Sequence, residues 1–286
     1  MNDTLIVTVF VVIDEMLQAF NHHDHPLTQV PDAEVLTVAV VAAAAFQNHH
    51  ERALQMLLRL GYLSGRLSVS RFNRRLHALG WWLDYLLEVI AKVFTRHEVH
   101  FAIDSFPIPA CERARGERCR KVCGKEYYGY IAAKRRYFYG WRLHLVVTSL
   151  GIPVNVVLMP ASIGDLSPVH ELLFGLPAAS CADGDKAYNS AKDEGSLLDE
   201  TGVRLVPLRK KNMQPNDWLD RQHLFPLRSR VETVGSQLAA MGIERLHART
   251  TAGVEIKVLA SLVAVAWKNI LANATPLACD ILMADN

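Results

Sequence analysis

The spacing of apolar positions changes character near residue 98. Before it, apolar residues recur at helical spacing; after it, alternating and continuous apolar runs bounded by glycine and proline take over. In the first part, Leu5 to Phe20 predicts a helix, ended by the polar run Asn21 to His25 and by Pro26. A second, Ala/Val-rich helix starts at Pro31-Asp32, and a third covers Arg52 to Leu60 and ends at Gly61. Ser68 or Ser70 supplies an N-cap for a fourth, which Gly80 stops; Trp81 to Leu86 continue as an apolar core helix. The apolar run from Val35 to Phe46 is too short to span a bilayer and predicts a buried helix.

From Val99 the pattern is that of strands. In HFAIDSFP, residues His100 to Pro107, Val99, Phe101 and Ile103 alternate with His100, Ala102 and Asp104, and Pro107 stops the strand. Two antiparallel strands follow, about Tyr137–Thr148 and Pro153–Met159, turning at Leu150-Gly151. A short helix (Leu166 to Leu176), a strand (Ser180 to Ala182), a helix (Ala191 to Leu198) and a strand (Val203 to Leu208) come next, with Asn212 to Leu224 as a loop. Long helical patterns cover Phe225 to Met241 and Ala252 to Leu271. A three-stranded meander followed by alternating helices and parallel strands predicts an α/β fold. It is a ribonuclease H-like mixed sheet with helices on both faces, preceded by an all-α N-terminal domain. The expected division is 1–97 for a helical domain and 98–286 for the sheet domain, with a basic insert near 106–136.

Half of the 286 residues are hydrophobic, enough for a full-sized core. The net charge of +2 conceals a block from Cys111 to Arg142 that carries +7, leaving −5 elsewhere. Such a block points to a polyanion partner at one surface. Five cysteines without a paired framework suit a reducing cytoplasm. The N-terminus lacks the positive start and small-residue cleavage site of a signal peptide.

Candidate chemistry rests on carboxylates. Asp104 ends the first strand, Asp185 follows the fourth, and Glu232 lies on the helix after the fifth. In this topology those places converge at one sheet edge. Three close carboxylates repel unless cations neutralise them, and hard oxygen ligands suit Mg²⁺ or Mn²⁺. Two such ions activate a water or 3′-hydroxyl for in-line attack on phosphorus. Asp183 competes with Asp185, and Glu244 and Glu255 with Glu232; Asp165 reads as a helix N-cap.

Arg71, Arg74 and Arg75 fall at i, i+3 and i+4 on one helix face, which suits either DNA backbone or solvent. Cys111, Cys119 and Cys123 lie in the basic block, but only Cys119 and Cys123 have a zinc-like spacing, and free thiols in a loop are the alternative. Tyr127, Tyr128 and Tyr130 either stack on unpaired bases or pack beneath the insert. The histidines at 22, 23, 25, 49 and 50 read as solvated turn or helix-end residues.

The blocks SRFNRRLHAL, AIDSFPIP, KRRYFYGWRLHLVVTSLGIPV, GDKAY, LRKKN and RSRVET, in this order, resemble the DDE transposases of bacterial insertion sequences, and most of all the nine-eighty-two family. The resemblance covers nearly the whole chain. It implies Asp104, Asp185 and Glu232 as the metal-binding catalytic triad, favours Asp185 over Asp183, and implies two Mg²⁺ ions, with Mn²⁺ as a substitute. Phe225, Arg228 and Glu232 match the spacing of a helix motif in related transposases, with Phe for the usual Tyr and Ala239 at the usual Lys place. Lys134, Arg135, Arg136, Lys186, Arg209, Lys210, Lys211 and Arg228 would then contact DNA, together with the three arginines of the N-terminal helix. The implied partners are double-stranded DNA at element ends and target, with a homodimer on DNA, no membrane, and a bacterial cytoplasmic location near the nucleoid. The implied reaction is cleavage at terminal inverted repeats followed by strand transfer. The alternatives are a metal-dependent nuclease on the same fold and a non-enzymatic DNA-binding protein derived from a transposase.

Overall fold

The computed structural model describes residues 3–274, with the backbone alone at residue 133 and residues 218–226. The chain divides into two compact units. One takes the residues up to Val89 and those from Leu238 onward; the other is Ile90–Gln237.

The first unit is helical. It contains α1 (Asp3–Ala19), α2 (Asp32–Phe46), α3 (His50–Arg59), most of α4 (Val69–Thr95) and α8 (Thr251–Ala274). Every residue of α2 from Ala33 to Ala43 is buried. A helix that is apolar all round belongs at the centre of its unit, and α1, α3 and α8 pack on it. The corner after α2 explains why α8 joins this unit, although the sequence reading placed it in the catalytic segment. Buried Asn48 donates from Nδ2 to the Met241 carbonyl and to Ser261 Oγ, both at 3.0 Å. Lys257 donates from Nζ to the carbonyls of Asn48 and Leu246.

Gly80 does not stop a helix. Instead α4 runs through it to Thr95, and a Cβ at Gly80 would stand 2.8 Å from Ile256 Cγ1 of α8. The glycine is a point of close helix approach. The expected cap holds at the other end, where Ser68 Oγ accepts from the Arg71 N–H.

The second unit is built on a six-stranded sheet of β1 (His100–Glu112), β2 (Tyr128–Ile131), β3 (Arg136–Thr148), β4 (Pro153–Pro160), β5 (Cys181–Gly184) and β6 (Arg204–Pro207). β1, β3 and β4 form the antiparallel meander, and β5 and β6 add in parallel beside β1. The path β4-β3-β1-β5-β6 is the ribonuclease H-like order expected from the sequence, with β2 added on β3.

One expectation about β1 fails. Pro107 does not end the strand, which stays paired with β3 through Glu112. The Cys181 N–H donates to the Val99 carbonyl, so odd-numbered residues of β1 turn their backbone groups toward β5. β5 pairs only with His100 to Ala102. Pro107 and Pro109 therefore meet a free edge, where the missing N–H costs no ladder bond. The first residues of the expected insert, 106–112, are thus sheet. Tyr127 and Tyr128 pack edge-on against Tyr139 and Trp141, beneath the insert.

Helices cover both faces of β1. Phe101 and Ile103 join α5 (Val169–Leu173) and α6 (Ala191–Thr201) in one core with Ala182, Val203 and Leu205. On the opposite face, α7 (Trp218–Ala240) meets Phe106 at Gly235 and buries Leu227, Val231 and Val234.

Candidate functional site

Strand alternation and register put the acids on one face of the sheet. Ala102 of β1 is level with Asp183 of β5, so Asp104 and Asp185, each two residues on, share that face; Asp185 follows the end of β5, but Asp104 does not end its strand as expected, since β1 continues to Glu112. Asp104 is partly buried. Burial pushes its carboxyl up to about 6, with Asp185 and Asp165 adding repulsion, against the opposing pull of the Ser105 N–H and the Arg228 guanidinium. Asp104 Oδ1 accepts from the Ser105 N–H at 2.7 Å. Asp185 Oδ1 accepts from the Ala187 N–H at 2.7 Å and caps a one-turn helix at 186–188. Its competitor Asp183 is buried, 5% exposed.

Glu232 comes from α7. Its carboxylate is exposed and accepts from Arg228 Nε at 3.3 Å, one turn earlier. Arg228 also lies close enough for its charge to act weakly on Asp104, in the direction that lowers the carboxyl. Asp104, Asp185 and Arg228 therefore share one electrostatic neighbourhood, with Glu232 tied to it through Arg228. Phe225 lies in α7, but its side chain is outside the described residues.

Among the described residues, the His, Cys, Asp and Glu trio whose ligand atoms all lie within 4.8 Å of one another is His22, Asp24 and Asp32, and not the three predicted acids. That trio already has a cation. Asp32 accepts two N–H groups of Arg75, and Arg75 stands 3.8 Å from Asp24. The predicted site has the opposite balance. A carboxyl whose pKa is raised by burial and by neighbouring carboxylates is one that a cation would relieve, and carboxylate oxygens are the donors that hard divalent ions take. Asp104 and Asp185 offer such oxygens, and Glu232 is paired with Arg228. The cysteines at 111, 119 and 123 carry free thiols and form no such trio, with the Cys111 thiol pushed up to about 11 by burial and by Cys119.

Asp165, expected as a helix N-cap, does other work. α5 begins at Val169 with Pro168 before it. Asp165 Oδ1 accepts from Ser105 Oγ at 2.6 Å and from Arg142 Nη1 at 3.5 Å. Fully buried His144, level with Ser105 across the sheet, has Nδ1 at 3.9 Å from the same oxygen and is driven down to about 4, chiefly by burial. Buried Tyr188 adds a hydroxyl without a hydrogen-bond partner, its pKa raised by burial and by Asp165, Asp104 and Asp185. This support was not legible in the sequence beyond the Ser that follows Asp104.

The basic residues separate into two groups. Arg71, Arg74, Lys134, Arg135, Lys186, Lys210 and Lys211 are exposed. Arg71 and Arg74 line a groove of about 390 Å³ with Arg66 and Arg75. The others are committed within the protein. Arg75 donates to Asp32 and to the Val30 carbonyl, Arg136 to Glu112 at 2.8 Å, and Arg209 to both oxygens of Glu194 at 2.7 Å.

The described helices include none long and apolar enough to cross a membrane. No curated protein matches this chain. Two solved structures are similar to it in outline: a Mos1 transposase paired-end complex with left transposon end, at 11% identity over 82% of this chain and 87% of that one with a TM-score of 0.26, and a pre-cleavage Mos1 transpososome, at 11% identity over 80% and 85% with a TM-score of 0.25. A family model described as a transposase DDE domain matches residues 95–267, which is more than half of the chain and includes all three acids. The chain belongs to the DDE transposase family.

Proposed function

We propose that this chain is a DNA transposase of a bacterial insertion sequence, of the nine-eighty-two type, that binds terminal inverted repeats, cuts there and joins the freed 3′ end to target DNA. The observation that carries the reading is the level pairing of Ala102 with Asp183, two residues before Asp104 and Asp185, within the stretch that matches a transposase DDE domain. Asp104, Asp185 and Glu232 are its catalytic acids and would hold two Mg²⁺ or Mn²⁺ ions. When bound, such ions acidify the attacking water or 3′-hydroxyl and stabilise the leaving oxygen.

The chain's own residues do the rest. Positive charge in the pocket would lower the raised pKa of Asp104 and favour its carboxylate. Arg228 holds the Glu232 carboxylate, and a DNA phosphate would compete for that guanidinium. Arg71, Arg74, Lys134, Arg135, Lys186, Lys210 and Lys211 track the backbone, and each phosphate contact steepens the salt dependence by about 0.9 in log–log slope. Arg75, Arg136 and Arg209 contribute by shaping the surface through their ion pairs. A homodimer on DNA brings two element ends together in the cytoplasm of a bacterial cell.

The test is a strand-transfer assay with duplexes carrying the element ends and a plasmid target, with Mg²⁺ and with chelator. Metal-dependent joining that Asp104→Ala abolishes supports the proposal. Cleavage without joining would make the chain a nuclease on this fold, and DNA binding without cleavage a non-enzymatic descendant.

A further inference from the structure

The helical unit contains a second concentration of positive charge, apart from the arginine groove and remote in chemistry from the acids. A cavity of about 700 Å³ lies where the first turn of α3, the start of α4 and the loop into α8 meet. Arg52, Arg249 and Lys257 line it, with histidines 49, 50, 77 and 247; Glu51 is the one acid among the lining residues. His49 and His247 stack with ring centroids 5.8 Å apart.

Besides α4, two helices begin at this cavity. α3 starts behind His49, whose side chain makes no cap bond to the exposed N–H groups of the first turn. α8 starts behind Thr250, whose Oγ1 accepts the Gly253 N–H at 3.1 Å, and both residues line the cavity. Helix starts carry partial positive charge and unsatisfied donors, which suit an anion.

A buried imidazole adds an independent sign. His50 is 9% exposed. Its Nδ1 bonds Asn73 Oδ1 at 2.9 Å, while its Nε2 finds no partner in the protein. A buried polar atom without a partner is costly and calls for one from outside. Burial and the surrounding cations, Lys257 foremost, hold His50 down at about 4; burial, Arg52, His247 and Lys257 lower His49. The field is one that an anion would relieve.

We infer that this cavity is a phosphate-binding site, with Arg52 and Arg249 at its mouth and His50 at its floor. The phosphate is either that of a DNA backbone or free inorganic phosphate; the DNA arm rests on the proposed function and the free-phosphate arm does not. Bound phosphate would favour protonated His50 and make its Nε2 a donor.

Titrating the full-length protein with inorganic phosphate, by calorimetry and by NMR of the histidine rings, tests this directly. Phosphate is expected to bind and to shift the ring signals of His49, His50 and His247. The exposed pair Arg52→Glu with Arg249→Glu is expected to weaken phosphate binding by roughly tenfold or more. A parallel fall in affinity for a random-sequence duplex assigns the site to DNA backbone, and unchanged duplex affinity assigns it to free phosphate; either supports the site. The pair Lys210→Glu with Lys211→Glu should leave phosphate binding unchanged. Absence of phosphate binding, binding that moves no ring signal in the unmodified protein, or binding indifferent to the Arg52/Arg249 change overturns the inference, whatever the duplex does. Strand transfer is scored separately, so loss of this site and loss of the transposase reading give different results.

Discussion

Gly235 of α7 lies so close to Phe106 of β1 that a Cβ at 235 would stand 2.3 Å from Phe106 Cε1. This contact seats the helix on the face of the sheet that carries Asp104. Glu232 lies just under one turn before Gly235, and Arg228 one turn before that. The position of both charged groups therefore depends on a missing methyl.

A larger residue at 235 must push the helix away or displace the Phe106 ring. Gly235→Leu is expected to cost about 1–3 kcal/mol in stability, as overpacking does. Mg²⁺-dependent cleavage is expected to fall further than stability explains when assayed at a temperature where both proteins are folded. Thermal unfolding and single-turnover cleavage on the same preparation check this. Full cleavage in a folded Leu variant would show that the contact does not set the site.

Asp104 makes the folded protein pH-dependent with a sign opposite to that of an ion-paired acid. Its folded value of about 6 lies above the ordinary 3.8. Between those values the folded state binds more protons than the unfolded chain, so this group's contribution falls as pH rises through the window. Above pH 6 the full cost remains, on the order of 3 kcal/mol. His50 and His144, held near 4 instead of 6.5, act the other way and weaken the fold as pH drops through that range. Comparing Asp104→Asn with the unmodified protein isolates the aspartate. In chelator at pH 7.5 the Asn variant is expected to melt several degrees higher, by about 2–4 °C per kcal/mol, while being inactive. The gap should close near pH 4 and narrow with added Mg²⁺. A variant that melts lower at pH 7.5 would mean that the carboxylate is well satisfied without a cation.

Arg209 and its two lysine neighbours have different tasks despite their adjacency. The Arg209 guanidinium is bidentate on Glu194 and three-quarters buried, so Arg209→Ala is expected to lower stability by about 1–3 kcal/mol by stranding a carboxylate. Lys210 and Lys211 are exposed. Replacing both with Ala should leave the melting temperature within a degree or two and reduce the salt slope of DNA binding by up to about 1.8. Melting curves and filter binding at several salt concentrations separate the two. A normal melting temperature for Arg209→Ala would free that residue for DNA.

The same distinction runs through the three arginines of α4. Their spacing puts them on one face, and nothing in the local sequence separates Arg75 from Arg71 and Arg74. Asp32, 43 residues earlier, does. Asp165 likewise reads as a cap beside a short helix, and its bonds to Ser105 and Arg142 come from residues 60 and 23 positions away. The histidines at 49 and 50 read as solvated. His49 instead stacks on His247, and His50 is buried with its ring bonded to Asn73.

What the sequence determined by itself is whatever one stretch of chain can encode: the alternation that makes β1 and the meander, the helical spacing of α1 to α4, the strand order, and the placement of Asp104 on a strand, Asp185 after one and Glu232 on a helix. These follow from backbone geometry and the local pattern of burial, which neighbours a few residues apart settle. The tertiary structure decided what Gly80, Pro107 and Arg75 are for, where α8 belongs, and how Arg228 comes within reach of Asp104. Those depend on atoms brought together from distant parts of the chain, and a close approach, a free sheet edge or an ion-pair partner leaves no mark on the residues beside it.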